Sequence, residues 1–370
     1  MKSLTTLLLA LTGVTTIGCV ATVGGNDCER CEGDDDGSGS GSATARDCSD
    51  PDDVEIEGAN GGKNITITSD ADFAKLPKTC WALNGTLRLQ GSAITSLAKL
   101  GDLVDVNNLE IVDTQLATFD SLQQVSVYGH VRVTGNSKLT NFEKVTATKW
   151  TGTDLLAGDT TAYLVVSENP ELTNVLGLKY LTTIGGELTL DNNPKLAAAD
   201  FLELTNITGA LTIKNNGVTS VKLSALKTVA SIEVTQNPQL AMFSGLAAQN
   251  ILGTVTFKAN PKLLSIGTMS SLTLLGGNLI IDDNDLLADL NGLTSSLQRI
   301  VGSVTVSNNQ TLSNLGLLSH LPLGITGSVT VTTNPVLGYC KAYEIDRCVN
   351  SGTVTNTGNG PQTNCTTWCP

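Results

Sequence analysis

Charged residues make up only 15% of this 370-residue chain, aromatics 4%, and there are two histidines, His130 and His320. No nucleophile–base pair can be built around either histidine, which argues against acid–base hydrolysis and for a non-catalytic protein with no cofactor. Long apolar runs are missing beyond the N-terminus. No stretch there reaches the ~18 apolar residues of a membrane span. Cysteine is absent between residues 81 and 339. Cys28 and Cys31 form a Cys-x-x-Cys without the second ligand pair that zinc needs, and the acidic run Asp34–Asp36 lacks the spaced ligands and closing Glu of a calcium loop. No metal site is expected. Basic excess is missing too: residues 19–57 hold 12 acids and 2 bases, and those beyond hold 23 acids and 19 bases. A near-neutral body beside an acidic segment argues against nucleic acid as a partner.

What the chain has is repetition. Asparagine recurs in one slot of nine successive units, at Asn136, Asn169, Asn193, Asn216, Asn237, Asn260, Asn284, Asn309 and Asn334. Five residues before each stands an apolar opener: Val131, Leu164, Leu188, Leu211, Ile232, Val255, Leu279, Val304 and Val329. The openers are 33 residues apart once and 21–25 apart thereafter. A period in the low twenties marks a solenoid, whose units bury their apolar faces only against neighbours. In Gly186-Glu187-Leu188-Thr189-Leu190-Asp191-Asn192-Asn193 the aliphatic residues alternate with polar ones, the pattern of a half-buried strand. Glycine two before the opener, at Gly85, Gly129, Gly186, Gly209, Gly253, Gly277, Gly302 and Gly327, implies positive φ or close backbone approach. A carboxamide offers two donors and an acceptor, so stacked Asn side chains can satisfy the turns of adjacent coils. The Asn set is therefore structural. Asp70, Ser92 and Thr114 fill the same slot in three earlier units opened by Ile65, Leu87 and Leu109, which gives about twelve coils.

Met1-Lys2-Ser3 and the apolar run Leu4–Ile17 read as a secretory signal. Thr16-Ile17-Gly18-Cys19 resembles a bacterial lipobox, with Thr16 in place of the usual aliphatic residue, so Cys19 is the expected lipid attachment and the only membrane contact. The expected organisation is a signal at 1–18, a disordered acidic Gly/Ser linker at 19–47, a solenoid at 48–340 and a disulfide-rich cap at 341–370. Without Cys19, eight cysteines remain. Six of them, Cys48, Cys80, Cys340, Cys348, Cys365 and Cys369, flank or end the coils, where staples can close a cut core.

The pattern Leu-x-Leu-x-x-Asn-x-x-Leu resembles the leucine-rich repeat. The opening Ile65-Thr66-Ile67-Thr68-Ser69-Asp70, Leu76-Pro77-Lys78-Thr79-Cys80, Gly85-Thr86-Leu87-Arg88-Leu89 is similar to that of the receptor L-domain. The resemblance covers residues 48–340 and implies a right-handed β-solenoid used for binding. By analogy it also implies a Cys48–Cys80 bridge in the N-terminal cap. Four cysteines at the other end allow three pairings, with Cys340–Cys365 the preferred first pair. The cysteine-rich module, membrane helix and kinase of receptors are absent from the chain, so signalling is not carried over.

Outward strand positions can be laid side by side. Arg88, Glu110 and Arg132 fall in register, as do Asp191 with Lys214 and Lys258 with Asp282, and charge ladders are expected there. The 33-residue interval holds an insertion, Thr146–Asp159, carrying Trp150, and inserted loops often bind. It connects coils whose outward slots hold His130 and Tyr163. Trp150, Tyr163, His130 and Arg132 are therefore the candidate ligand-binding residues. The expected function is a cell-surface or outer-membrane lipoprotein that binds a protein or polysaccharide at the envelope. A structural spacer is the alternative, and a carbohydrate-active enzyme a distant third.

Overall fold

A computed structural model describes residues 63–361, except 79, 101–102, 121, 123–124, 144 and 146–161. The expectations for the signal, the linker, Cys19, Cys48, Cys365, Cys369, Trp150 and the insertion lie outside these residues.

Thirteen short strands, from Lys63–Ile67 to Val354–Thr357, lie side by side in chain order as one parallel sheet, with Ser126–Val127 pairing off this path. Each opener faces the next: Val131 pairs Leu164, Leu164 pairs Leu188, and Leu188 pairs Leu211. The returning segments form smaller parallel ladders, among them Ala198–Asp200, Ser220–Lys222 and Met242–Phe243, and separately Asn250–Ile251, Leu274–Leu275 and Arg299–Ile300. This is a parallel β-solenoid of about twelve turns with little helix. Its inward positions are fully buried aliphatics, and Phe119–Phe142 and Phe243–Phe257 meet edge-on at 4.9 and 5.1 Å between ring centres.

The sheet continues past residue 340. The strand Val354–Thr357 pairs with Val329–Thr332 and carries Asn359 in the asparagine slot. The repeat is hard to see there because the second inward position is Asn356, where other coils have an aliphatic residue or, at Phe257, an aromatic one. Cys80 and Cys340 stand as half-cystines, and no disulfide joins two described cysteines, so their pairings fall outside the described residues.

The asparagines form a continuous buried ladder. Asn237 is representative: its Nδ2 donates to Ile213 O (2.9 Å) and Thr235 O (3.0 Å), and its Oδ1 accepts from the Asn216 backbone N–H (3.0 Å). Its own N–H donates to Asn260 Oδ1 (3.1 Å). Each side chain thus ties its own turn to the coils on both sides. The ladder begins at Thr114, whose N–H and Oγ1 both donate to Asn136 Oδ1, and runs to Asn359. Asp70 and Ser92 are not part of it. Asp70 is exposed, opens the short helix Asp70–Phe73 and pairs with Lys99 at 2.6 Å, and Ser92 is exposed.

The residue before each ladder position adopts a left-handed backbone. Asp113, Glu168, Asn192, Asn215, Gln236, Ala259, Asp283, Asn308 and Thr333 have φ of 53–59°, and glycine takes the place at Gly135 and Gly358, as Gly91 does before Ser92 outside the ladder. This is where positive φ lives in the repeat. The glycines two before the opener serve close approach instead. A Cβ on Gly327 would lie 2.6 Å from the Gly302 carbonyl carbon, and one on Gly209 would lie 2.7 Å from that of Gly186. Gly209 N–H donates to Gly186 O at 2.8 Å, so these corners stack backbone on backbone.

Candidate ligand-binding face

On the outer face of the large sheet the strands hold side chains in register. Glu110 opposes Arg88 on one side and Arg132 on the other. Its carboxylate takes Arg88 Nη1 at 2.6 Å on one oxygen and His130 Nε2 at 3.3 Å on the other. Arg88 Nε also donates to Gln90 Oε1 at 2.8 Å. Arg132 does not complete the expected ladder. With Glu110 already engaged twice, its guanidinium lies over Tyr163, 5.5 Å from the ring centre, and among the described residues it makes no ion pair.

His130 and Tyr163 occupy the slot before the opener in adjacent coils. Their rings stack, 4.6 Å between centres and 14° from parallel. The His130 backbone N–H is fixed by Asn108 Oδ1 at 2.9 Å. The structure therefore brings Tyr163, His130 and Arg132 into one cluster, while Trp150 lies outside the described residues. The sequence reading missed Glu110 as the common anchor of Arg88 and His130. The signal was present, because His130 follows Glu110 by 20 residues and sits one position before the next opener, on its diagonal.

The other charge ladders divide. Lys258 meets Asp282 at 3.0 Å. Burial raises the Asp282 carboxyl, but bonds from Ser307 Oγ, Asn308 Nδ2 and Lys258 outweigh it and hold the group below its ordinary range. Lys258 is raised correspondingly by its bond and attraction to Asp282. Asp191 and Lys214 are in register without forming an ion pair; Asp191 Oδ1 accepts instead from Asn215 Nδ2 at 3.1 Å. Glu233 Oε1 accepts from Thr235 Oγ1 at 3.2 Å. Towards the C-terminal end the face is all hydroxyl, with Thr305, Thr330 and Thr355 in one row and Ser307, Thr332 and Thr357 in the next.

Among the described residues no group of three or more His, Cys, Asp or Glu is placed to hold a metal, and no helix is long and apolar enough to cross a membrane. The cluster at Tyr163 offers a flat aromatic surface, a guanidinium with its donors open, and a carboxylate already satisfied. Such a set can stack against a ring or an apolar edge and bind an acceptor.

No family model matches the chain, and no solved structure matches it. A cell surface GPI-anchored protein of Arthroderma benhamiae is 29% identical over 147 residues, 35% of this chain. The alignment spans 37% of that protein's length.

Proposed function

We propose that this chain is an exported, non-catalytic surface module of the receptor L-domain and leucine-rich-repeat type, binding a protein or polysaccharide ligand at the cell envelope. The observation that carries the reading is the Tyr163–His130–Arg132 cluster beside the one long inter-coil connection. Aromatic and arginine side chains dominate recognition energy because they supply large contact area and several donors at small entropic cost. The surface protein of Arthroderma benhamiae supports a surface location. A lipid on Cys19 would tether the module, right-handed coils would follow from the family resemblance, and bridges Cys48–Cys80 and Cys340–Cys365 would close its ends.

The hydroxyl rows and internally bonded charges over the rest of the face favour the second reading, a spacer without a specific ligand. The two are separated by binding the purified full chain to fractionated envelope material. If the module reading holds, Tyr163→Ala or Arg132→Ala weakens retention at least tenfold, about 1.4 kcal/mol, without changing the unfolding midpoint. Equal retention of both variants and the parent protein refutes the site. Absence of retention by the parent protein favours the spacer.

A further inference from the structure

A second opening lies on a different face. Between the coils opened by Leu211 and Ile232 the returning chains are pinned twice, by Ala247 N–H to Leu226 O at 2.9 Å and by Gly253 N–H to Ala230 O at 2.7 Å. Between those pins run three residues of one coil, 227–229, against five of the next, 248–252. The interval from Leu211 to Ile232 is 21, the shortest in the repeat, and this is where the missing length shows. Between the two segments lies an open cavity of about 760 Å³ lined by Lys227, Val229, Ala230, Ala247, Asn250 and Leu252 among others.

The ladder along this face breaks only here between Thr183 and Arg299. Asn206 pairs with Thr228 on one side, and Asn250 with Leu274 on the other. Thr228 turns its backbone to the preceding coil, donating to Thr205 O and accepting from Ile207 N–H. Gln249 and Ile251 turn theirs forward, accepting from Thr273 and Gly276 N–H. By strand alternation the N–H and C=O of Val229 and of Asn250 face each other across the opening, and among the described residues neither takes a backbone partner. Asn250 is exposed, so its edge is hydrated when the opening is free, and a ligand that covers the apolar wall must itself supply the hydrogen bonds that water gives up there.

We propose that this opening binds the acetamido group of an N-acetylated sugar. A secondary amide carries one donor and one acceptor, so lying between the edges it can pair one group of Val229 and the complementary group of Asn250, and its methyl fits the small wall of Ala230 and Ala247. The exposed Leu252 offers an apolar surface for the C–H face of the sugar ring, and Lys227 and Gln249 stand at the rim to meet hydroxyls. A running peptide is excluded by the pins: three residues of edge, ~10 Å, are too short to admit a strand that must continue past both ends. The site is separate from the Tyr163 cluster.

The test is calorimetric titration of the purified full chain with N,N′-diacetylchitobiose, its fully deacetylated analogue and N-acetylalanine methylamide. The acetylated disaccharide is expected to bind at least tenfold more tightly than either of the others. Ala247→Phe, which fills the cavity, should abolish binding, and Leu252→Asp should weaken it at least tenfold if the first variant fails to fold. Tyr163→Ala should leave it unchanged, so failure here and failure of the envelope-binding reading are distinguishable. Equal binding of the deacetylated sugar, equal binding of the methylamide, or no binding of the disaccharide overturns the proposal.

Discussion

Replacing Asn237 with alanine is the sharpest probe of what holds the coils together. The side chain is fully buried and makes three kinds of bond at once. Its loss strands the Asn216 N–H, which has no other acceptor within its turn, and takes the Asn237 Nδ2 donor from the Ile213 carbonyl, which keeps its place in the strand ladder. The orphaned buried N–H costs ~1–3 kcal/mol, so the variant should lose about that much. Asn237→Asp is the informative companion. It keeps an acceptor for Asn216 but turns a carboxylate oxygen towards Ile213 O and Thr235 O, which now repel it. It should be at least as damaging at pH 7. Burial beside two carbonyls raises the folded-state carboxyl above its unfolded value, so the proton-bound form is the compatible one. Stability lost by Asn237→Asp should therefore be partly regained as pH falls from 7 towards 4. Urea unfolding followed by circular dichroism measures the loss, and hydrogen exchange at the Asn216 amide locates it. Thr256→Ala, at an outward strand position, should stay within about 0.5 kcal/mol. If the Asn237 and Thr256 variants shift equally, or the Asn216 amide exchanges no faster, the ladder does not carry the energy assigned to it.

Three further outcomes follow from backbone and charge. Ala259→Gly should raise stability by about 0.5–1 kcal/mol in the same assay, because alanine at φ 53° sits in a region that costs L-residues ~1–2 kcal/mol, while glycine gives back part of that gain as chain entropy; a lowered midpoint would count against it. Gly327→Ala should cost about 1–3 kcal/mol by forcing a methyl onto the Gly302 backbone, whereas Gly338→Ala, with nothing within 4 Å of its would-be Cβ, should be nearly neutral, and similar midpoints would sink the close-approach account. Asp72, held low by Lys75 and by bonds from Thr68 and Ser69, and Asp282 both have depressed folded-state pKa values. Their contributions are therefore present above an unfolded value of ~3.9 and are lost as pH falls through the depressed folded ones. Asp282→Asn should accordingly flatten the stability profile below about pH 4, and an unchanged acid limb would contradict this.

The repeat was legible because its slots are filled by side chains with one job each. Asn193 and Leu188 are recognisable since nothing else satisfies a stacked turn or fills that inward strand position as well, and the register between coils follows from the period alone. The positive-φ position was not legible. It is occupied by Glu168, Gln236, Ala259 and Thr333 as readily as by glycine. The ladder immediately after it holds the turn from both sides, so local preference is overridden and leaves no compositional mark. The same override hid the thirteenth strand: Asn356 replaces an aliphatic residue, yet hydrogen bonds along Val329–Thr332 and through Asn359 suffice to keep the strand in the sheet.

Side-chain pairing on the outer face was legible only to the level of adjacency. Register placed Arg132 next to Glu110, but a carboxylate has limited capacity, and Arg88 and His130 divide it between them. Arg132 then takes the alternative that the neighbouring coil provides, the Tyr163 ring. Competition of this kind cannot be read from a list of neighbours, since it depends on which of several partners reaches first with good geometry. The two sites share a further property. Each lies where the coil length departs from the mean, at 33 residues beside Tyr163 and at 21 residues beside Val229. A regular coil spends its polar groups on the coils above and below, so it has little left to offer a ligand. Where length changes, some groups lose their intramolecular partner, and those are the groups available for recognition.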